Sequence, residues 1–195
     1  MLKEWYIARH GETVWNVEKI VQGWKDSPLT QRGILQVREL GSALRDKGIE
    51  LIICGDLGRQ RQTAAELMPY VNAPAEYTYL LRERGTGNVD GVSYAELGIV
   101  KEDFGFYDKD GKGIFASAEP LEQVVGRARQ VLEKVIALPQ NRILTIGSAW
   151  TNSYIVNLLL NEGWIYHNQE NATTHRFLLN SNGYVIGYEL KEKAE

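Results

Sequence analysis

Residues 9–16 read Arg-His-Gly-Glu-Thr-Val-Trp-Asn, and a further arginine stands well down the chain at Arg59. These residue types suit one chemistry, phosphoryl transfer. That reaction needs a nucleophile in line with phosphorus, donors on the equatorial oxygens and an acid for the leaving oxygen. A neutral imidazole nitrogen of His10 can take a phosphoryl group covalently. Arg9 and Arg59 carry planar guanidinium forks that match phosphate oxygens. Gly11, lacking a Cβ, is expected to let the backbone come close to a ligand. A histidine beside an arginine is by itself more often a surface pair than an active site, so the weight falls on the surroundings.

The elements around these residues alternate. Trp5 to Ala8 is a short apolar run ending at Arg9 and reads as a buried strand. Thr30 is a plausible N-cap for a helix through about Lys47, closed by Gly48. Its Ile34, Val37, Leu40 and Leu44 fall on one face. Leu51 to Cys54 reads as a second buried strand, and a helix from about Arg59 to Met68 is stopped by Pro69. Tyr77 to Leu81 is expected as a third strand. Ser93 and Glu96 have capping-box spacing for a short helix. Residues 104–117 read as a loop. Pro120 suits the start of a helix to about Leu138. Arg142 to Ile146 is another buried strand, and Asn152 to Leu160 suits a helix. Two late strands, Arg176 to Leu179 and Tyr184 to Leu190, flank the turn Asn180-Ser181-Asn182-Gly183. Such alternation implies an α/β fold with a largely parallel sheet. Ligands of such sheets sit beyond the carboxyl ends of the strands. Arg9-His10 lies at one such end, and Gly55-Asp56, just before Arg59, lies at another.

The whole length, residues 1–195, suits one domain with an excursion at about 99–119. The formal net charge of −3 gives no global field toward nucleic acid or anionic lipid, so an anion site must be a local cluster of arginines. Cys54 is the only cysteine, which rules out an internal disulfide and fits a reducing compartment. No apolar run is long enough to span a bilayer, and Met1-Leu2-Lys3-Glu4 lacks the regions of a signal peptide. A cytoplasmic protein is the expectation.

Four ordered segments then carry a resemblance. Residues 9–16 match R-H-G-E-T-x-W-N throughout, and Gln22-Gly23, Asp26-Ser27-Pro28-Leu29-Thr30 and Gly33 match its continuation. Asp56-Leu57-Gly58-Arg59 with Gln62-Thr63-Ala64 forms the third segment, and Leu81-Arg82-Glu83 with Gly87 the fourth. Together they resemble the histidine phosphatase (phosphoglycerate mutase-like) superfamily. The resemblance implies a three-layer sandwich with a mostly parallel central sheet between helices. It implies that His10 attacks phosphorus, and that Arg9, Arg59 and Asn16 hold the phosphoryl oxygens with help from Gln22 and Gly23. Glu83 would protonate the leaving alcohol and later activate water. It implies a small-molecule phosphoester as partner, no metal and no cofactor. Among the neighbours, Trp15 and Leu29 read as packing, Glu12 as a loop partner of Arg9, and Arg61 as solvated.

The pattern breaks at one place. The family's second histidine, in a V-S-H-G segment, is missing from Ile143-Leu144-Thr145-Ile146-Gly147-Ser148-Ala149-Trp150. Ungapped alignment of the strand puts Ser148 there, while matching on the serine puts Ala149 there. His167 and His175 come later and suit strand-packing or surface roles better than replacement. The expectation is a phosphate site with weak turnover.

The segment Glu83-Arg84-Gly85-Thr86-Gly87 differs from the E-R-H-Y-G of the mutases, which favours the phosphatase branch over mutase-type transfer. Of the usual P-G-G-E-S only Glu119 survives. The missing histidine leaves open a non-catalytic phosphate-binding or interaction protein. Asp108, Asp110, Gly113 and Glu119 also have the spacing of a calcium loop, but Lys112 occupies a carboxylate position, and a solvated turn fits better. Nothing in the sequence speaks to oligomeric state.

Overall fold

The computed structural model describes residues 2–98 and 116–191. In chain order they form β1 (Lys3–Arg9), α1 (Val14–Val17), α2 (Gln31–Leu44), β2 (Leu51–Gly55), α3 (Gly58–Leu67), β3 (Ala75–Thr78), α4 (Leu121–Ala137), β4 (Arg142–Gly147), α5 (Ala149–Leu160), β5 (Thr174–Leu179) and β6 (Val185–Glu189). The six strands make one sheet in the order β3-β2-β4-β1-β5-β6. Pairing is parallel from β3 across to β1 and antiparallel at β5 and β6.

Strand alternation sends side chains to both faces, and helices cover both. Trp5, Ile7, Leu51, Ile53 and Ile143 pack with Val124, Val131 and Ile155 of α4 and α5. Tyr6, Ala8, Ile52, Cys54, Leu144 and Ile146 pack with Val37, Leu40, Leu44 and Leu67 of α2 and α3. This is the three-layer α/β arrangement expected. It explains why the strands are apolar runs rather than alternating ones. Each large side chain so buried contributes about 1.5–3 kcal/mol. The indole of Trp5 meets its polar need within the sheet, donating from Nε1 to Thr145 Oγ1 at 2.9 Å.

Local signals mostly act as expected. Thr30 accepts from the N–H of Gly33 at 2.8 Å. α2 tightens into a 3-10 turn at Arg45–Lys47 and stops at Gly48, whose φ of 63° is left-handed. Val37, Leu40 and Leu44 are buried, while Ile34 only flanks the core. Cys54 lies inside β2, its thiol donating to Gln60 O at 3.2 Å.

Several boundaries differ. The third strand is Ala75–Thr78, not Tyr77 to Leu81, because Thr78 accepts from Leu80 N–H and turns residues 79–81 into a 3-10 turn. α5 begins at Ala149, three residues before the expected Asn152. Ser93 and Glu96 make their reciprocal bonds, yet the chain through Gly98 is turn, not helix. α1 was not expected. Most of the excursion at 99–119, with Asp108, Asp110 and Gly113, lies outside the described residues. Among the described residues no helix is long and apolar enough to cross a membrane.

His175 sits on β5 with no exposure, and its Nδ1 accepts from Lys191 N–H at 3.1 Å. Burial, aided by the nearby His167, pushes its pKa down to about 4. The unfolded imidazole titrates near 6.5, so the folded state loses stability as pH falls between about 6.5 and 4. The expected contribution is about 3 kcal/mol, complete above pH 6.5 and gone below 4. Urea titrations of the wild type and His175→Phe across that range check it. Equal acid sensitivity in the two would remove the assignment.

Candidate active site

The carboxyl ends of β1, β2 and β4 open into a cleft of about 400 Å³. Arg9, His10, Asn16, Gln22, Gly23, Arg59, Glu83 and Ala149 all line it. These come from five separate stretches of chain, so the fold brings together residues that the sequence keeps up to 140 positions apart.

His10 follows the last residue of β1 and is almost fully buried. Its N–H donates to Gly147 O at 3.1 Å, while its own carbonyl accepts from Ala172 N and from Asn171 Nδ2. The ring is fixed by a 2.8 Å bond between Nδ1 and Gly11 O. A carbonyl can only accept, so Nδ1 carries the proton. In the neutral ring Nε2 then holds the free lone pair. Burial first, then the charges of Arg59 and Arg9, hold the imidazole well below its usual range.

Arg59 is set by a loop rather than by its own helix. Its Nη2 donates to Gly23 O and its Nη1 to Lys25 O, both at 2.8 Å. Asp26 pairs with Nη1 at 3.2 Å and also accepts from the N–H groups of Gly58 and Arg59. One carboxylate thus caps α3 and orients the arginine at its start. Arg9 donates from Nη1 to Gln169 O at 2.7 Å. The Nε atoms of Arg9 and Arg59 are both buried without a hydrogen-bond partner. Two unanswered donors on cationic side chains are costly in a protein interior, and both side chains line the cleft.

Asn16 spends its carbonyl on Thr13, accepting from N at 3.1 Å and Oγ1 at 3.0 Å. The residue also lines the cleft. Gln22 Oε1 is buried and unpartnered there. Glu83 accepts from Arg84 N at 2.9 Å and Trp150 N at 3.5 Å. Burial raises its pKa, against the opposing pull of those N–H groups, Arg59 and Arg9.

The two positions at the end of β4 differ in their setting. Ala149 lines the cleft, whereas Ser148 is sealed behind it, its Oγ accepting from Gln60 Nε2 at 3.2 Å. His167 and His175 are buried away from the cleft lining and pack near each other at 6.3 Å.

Other expectations need correction. A Cβ at Gly11 would stand 2.8 Å from Val37 Cγ2 and 2.9 Å from Gly33 O. The glycine serves packing against α2, not approach of backbone to ligand. Glu12 does not partner Arg9; it accepts from Thr30 Oγ1 at 2.9 Å and lies 3.4 Å from Arg32. Trp15 lines the cleft rather than only packing. Glu119, read as a calcium-loop position, is paired with Arg127 at 2.7 Å. Sequence reasoning missed the cleft residues Trp150, Tyr166 and Asn171. Aromatic and amide types gave no distinct signal there. Among the described residues no group of three His, Cys, Asp or Glu side chains is placed to hold a metal ion.

Comparison with known proteins gives the family and the fold. A family model described as the histidine phosphatase superfamily (branch 1) matches residues 5–187. The Erwinia tasmaniensis protein named Probable phosphoglycerate mutase GpmB is 31% identical over 158 residues, 80% of this chain and 74% of that protein. The broad-specificity phosphatase YOR283W of Saccharomyces cerevisiae is 30% identical over 190 residues, covering 94% and 78%. Among solved structures, Bacillus stearothermophilus YhfR superposes with a TM-score of 0.84 at 20% identity, covering 99% and 98%.

Proposed function

This chain belongs to the histidine phosphatase superfamily, branch 1, and from that premise we propose that it hydrolyses small-molecule phosphomonoesters through a phosphohistidine on His10. The observation that carries this reading is the Nδ1–Gly11 O bond, which leaves Nε2 unprotonated in a cleft shared with two arginines and a raised-pKa carboxyl. Nε2 attacks phosphorus as the P–O bond to the leaving alcohol breaks. Glu83 gives its proton to the departing oxygen. Arg9, Arg59, Asn16 and Gln22 hold the phosphoryl oxygens, with Gly23 acting through Arg59. Water then attacks phosphorus, its proton passes to the Glu83 carboxylate, and the N–P bond breaks to release phosphate and restore His10.

Ala149 takes the place of the family's second histidine. With a methyl group there, one donor to the developing charge is absent, and turnover is low. This favours a second reading, a phosphate-binding or interaction protein that no longer turns over. Mutase-type transfer to another hydroxyl is the remaining alternative, raised by the naming of the Erwinia relative.

The test is labelling with a panel of 32P-phosphomonoesters. Label on His10 that survives alkali and is lost in acid is expected, and His10→Ala carries none. The rate of label formation requires neutral His10 and protonated Glu83. Its acid limb therefore lies well below pH 6.5 and its basic limb above 4.5, and Glu83→Gln flattens the basic limb. Phosphate bound without label across the panel would hand the case to the binder. Label passed to a second hydroxyl of phosphoglycerate would favour the mutase.

A further inference from the structure

Glu119 and Arg127 form a buried pair that the chemistry above does not use. Their side chains are 6% and 7% exposed. The pairing is bidentate, Arg127 Nε to Glu119 Oε1 and Nη2 to Oε2, each at 2.7 Å. A pair so far from solvent is weak evidence for stability, since desolvation of both ions offsets their attraction. A role in holding geometry is the alternative, and the contacts show what is held.

Arg127 reaches from the first turns of α4 to the chain that carries Glu83. Its Nη1 donates to Leu80 O at 2.9 Å and Arg82 O at 3.0 Å, and its Nη2 lies 3.5 Å from Glu83 O. Glu119 holds the other side of the same loop. Its Oε2 accepts from Gly85 N at 3.2 Å, its N–H donates to Gly85 O at 2.7 Å, and its carbonyl accepts from Arg84 Nε at 2.9 Å. The remaining carbonyls are taken too: Leu81 O by Gln60 Nε2, Arg82 O also by Thr151 Oγ1, and Glu83 O by Trp24 Nε1. The segment has no regular secondary structure after the 3-10 turn at Tyr79–Leu81. Side chains do here what a helix or sheet ladder does elsewhere.

We infer that the Glu119–Arg127 pair positions Glu83 for proton donation, Arg127 as a positioning residue for the loop and Glu119 by fixing the Arg127 fork and the Gly85 peptide. The inference rests on Glu83 being the acid of the proposed reaction. Proton donation matters most when the leaving alkoxide is strongly basic. Misplacing the acid should therefore slow alkyl phosphates far more than aryl phosphates with acidic phenols. A merely structural defect would slow both alike.

The experiment uses Arg127→Lys, which keeps the charge beside Glu119 and removes the fork. The rate of His10 phosphorylation is measured with glycerol phosphate and with p-nitrophenyl phosphate. The expected result is a fall of about 10–100-fold for the alkyl ester. A fall of less than about threefold is expected for the aryl ester, where little donation is needed. The Kd for inorganic phosphate stays unchanged. Equal falls on the two esters, or no fall on either, overturn the proposal. Glu83→Gln is run beside it. If Glu83→Gln shows no bias against the alkyl ester, the acid assignment itself fails. If it shows the bias and Arg127→Lys does not, only the positioning role fails. Should Arg127→Lys not fold, Glu119→Gln retains the shape with a weaker hold on the fork. A smaller bias in the same direction is then expected, and its absence likewise overturns the inference.

Discussion

Replacing Ala149 by histidine raises turnover of p-nitrophenyl phosphate by about 10²–10³-fold, and the same change at Ser148 does not. The asymmetry follows from where the two positions lie. Ala149 is the first residue of α5 and lines the cleft with His10, Arg9, Arg59 and Glu83. An imidazole there adds a donor to the phosphoryl oxygens as charge develops on them, in a site where other donors are already fixed. Ser148 has no exposure and holds Gln60, which in turn binds Leu81 O. Histidine at that position overfills a packed interior, at a cost of about 1–3 kcal/mol, and frees the chain leading to Glu83. Measured kcat, KM and melting temperature for both variants decide the matter. A gain below about tenfold at 149 would show that the missing donor is not what limits the chain.

The second large effect is at Arg59. Arg59→Lys should lower the rate of His10 phosphorylation by about 10²–10³-fold and weaken phosphate binding along with it. An ammonium offers a point charge in place of a planar fork. It cannot reach Gly23 O, Lys25 O and Asp26 at once, as the guanidinium does, and still have a donor to spare. Loss of the fork also leaves buried carbonyls unanswered, so the loop carrying Gln22 and Gly23 loosens with the phosphate contact. Stopped-flow labelling together with calorimetric binding of inorganic phosphate gives both effects. A variant that labels at the wild-type rate would remove Arg59 from the phosphoryl site.

Much of this arrangement was legible in residue order. The apolar run before Arg9, the Thr30 cap and the Gly48 stop are local signals, and local backbone chemistry realised them. The family motifs brought His10, Arg9, Asn16, Gln22, Arg59 and Glu83 into one expected site, and one cleft receives them all. What escaped depended on distant partners. Whether Ser148 or Ala149 faces the cleft depends on where β4 ends and α5 begins, a matter of one residue's rotation. The purpose of Gly11 lies in its distance to Val37, which no motif encodes. Arg127 is one arginine in an amphipathic helix, indistinguishable in sequence from a solvated one until Glu119 and the carbonyls around Glu83 are seen beside it. β3 was displaced because a threonine hydroxyl competes with the ladder for backbone N–H groups, and β propensity alone does not register that competition.

The strand order has a further consequence for how the protein comes into being. β1 is made before the other five strands of the sheet, yet its neighbours are β4 and β5, with Trp5 lying beside Ile143 on one side and Phe177 on the other. Such pairings join strands far apart in the sequence, and closing loops that long makes folding slow. As the polypeptide emerges, β1 waits with two bare edges until β4 and β5 have been made, exposed to pairing with other nascent chains. Gly147, which accepts the His10 N–H, and Asn171, which binds the His10 carbonyl, arrive only then. His10 is translated well before these partners and receives its final setting only when they arrive.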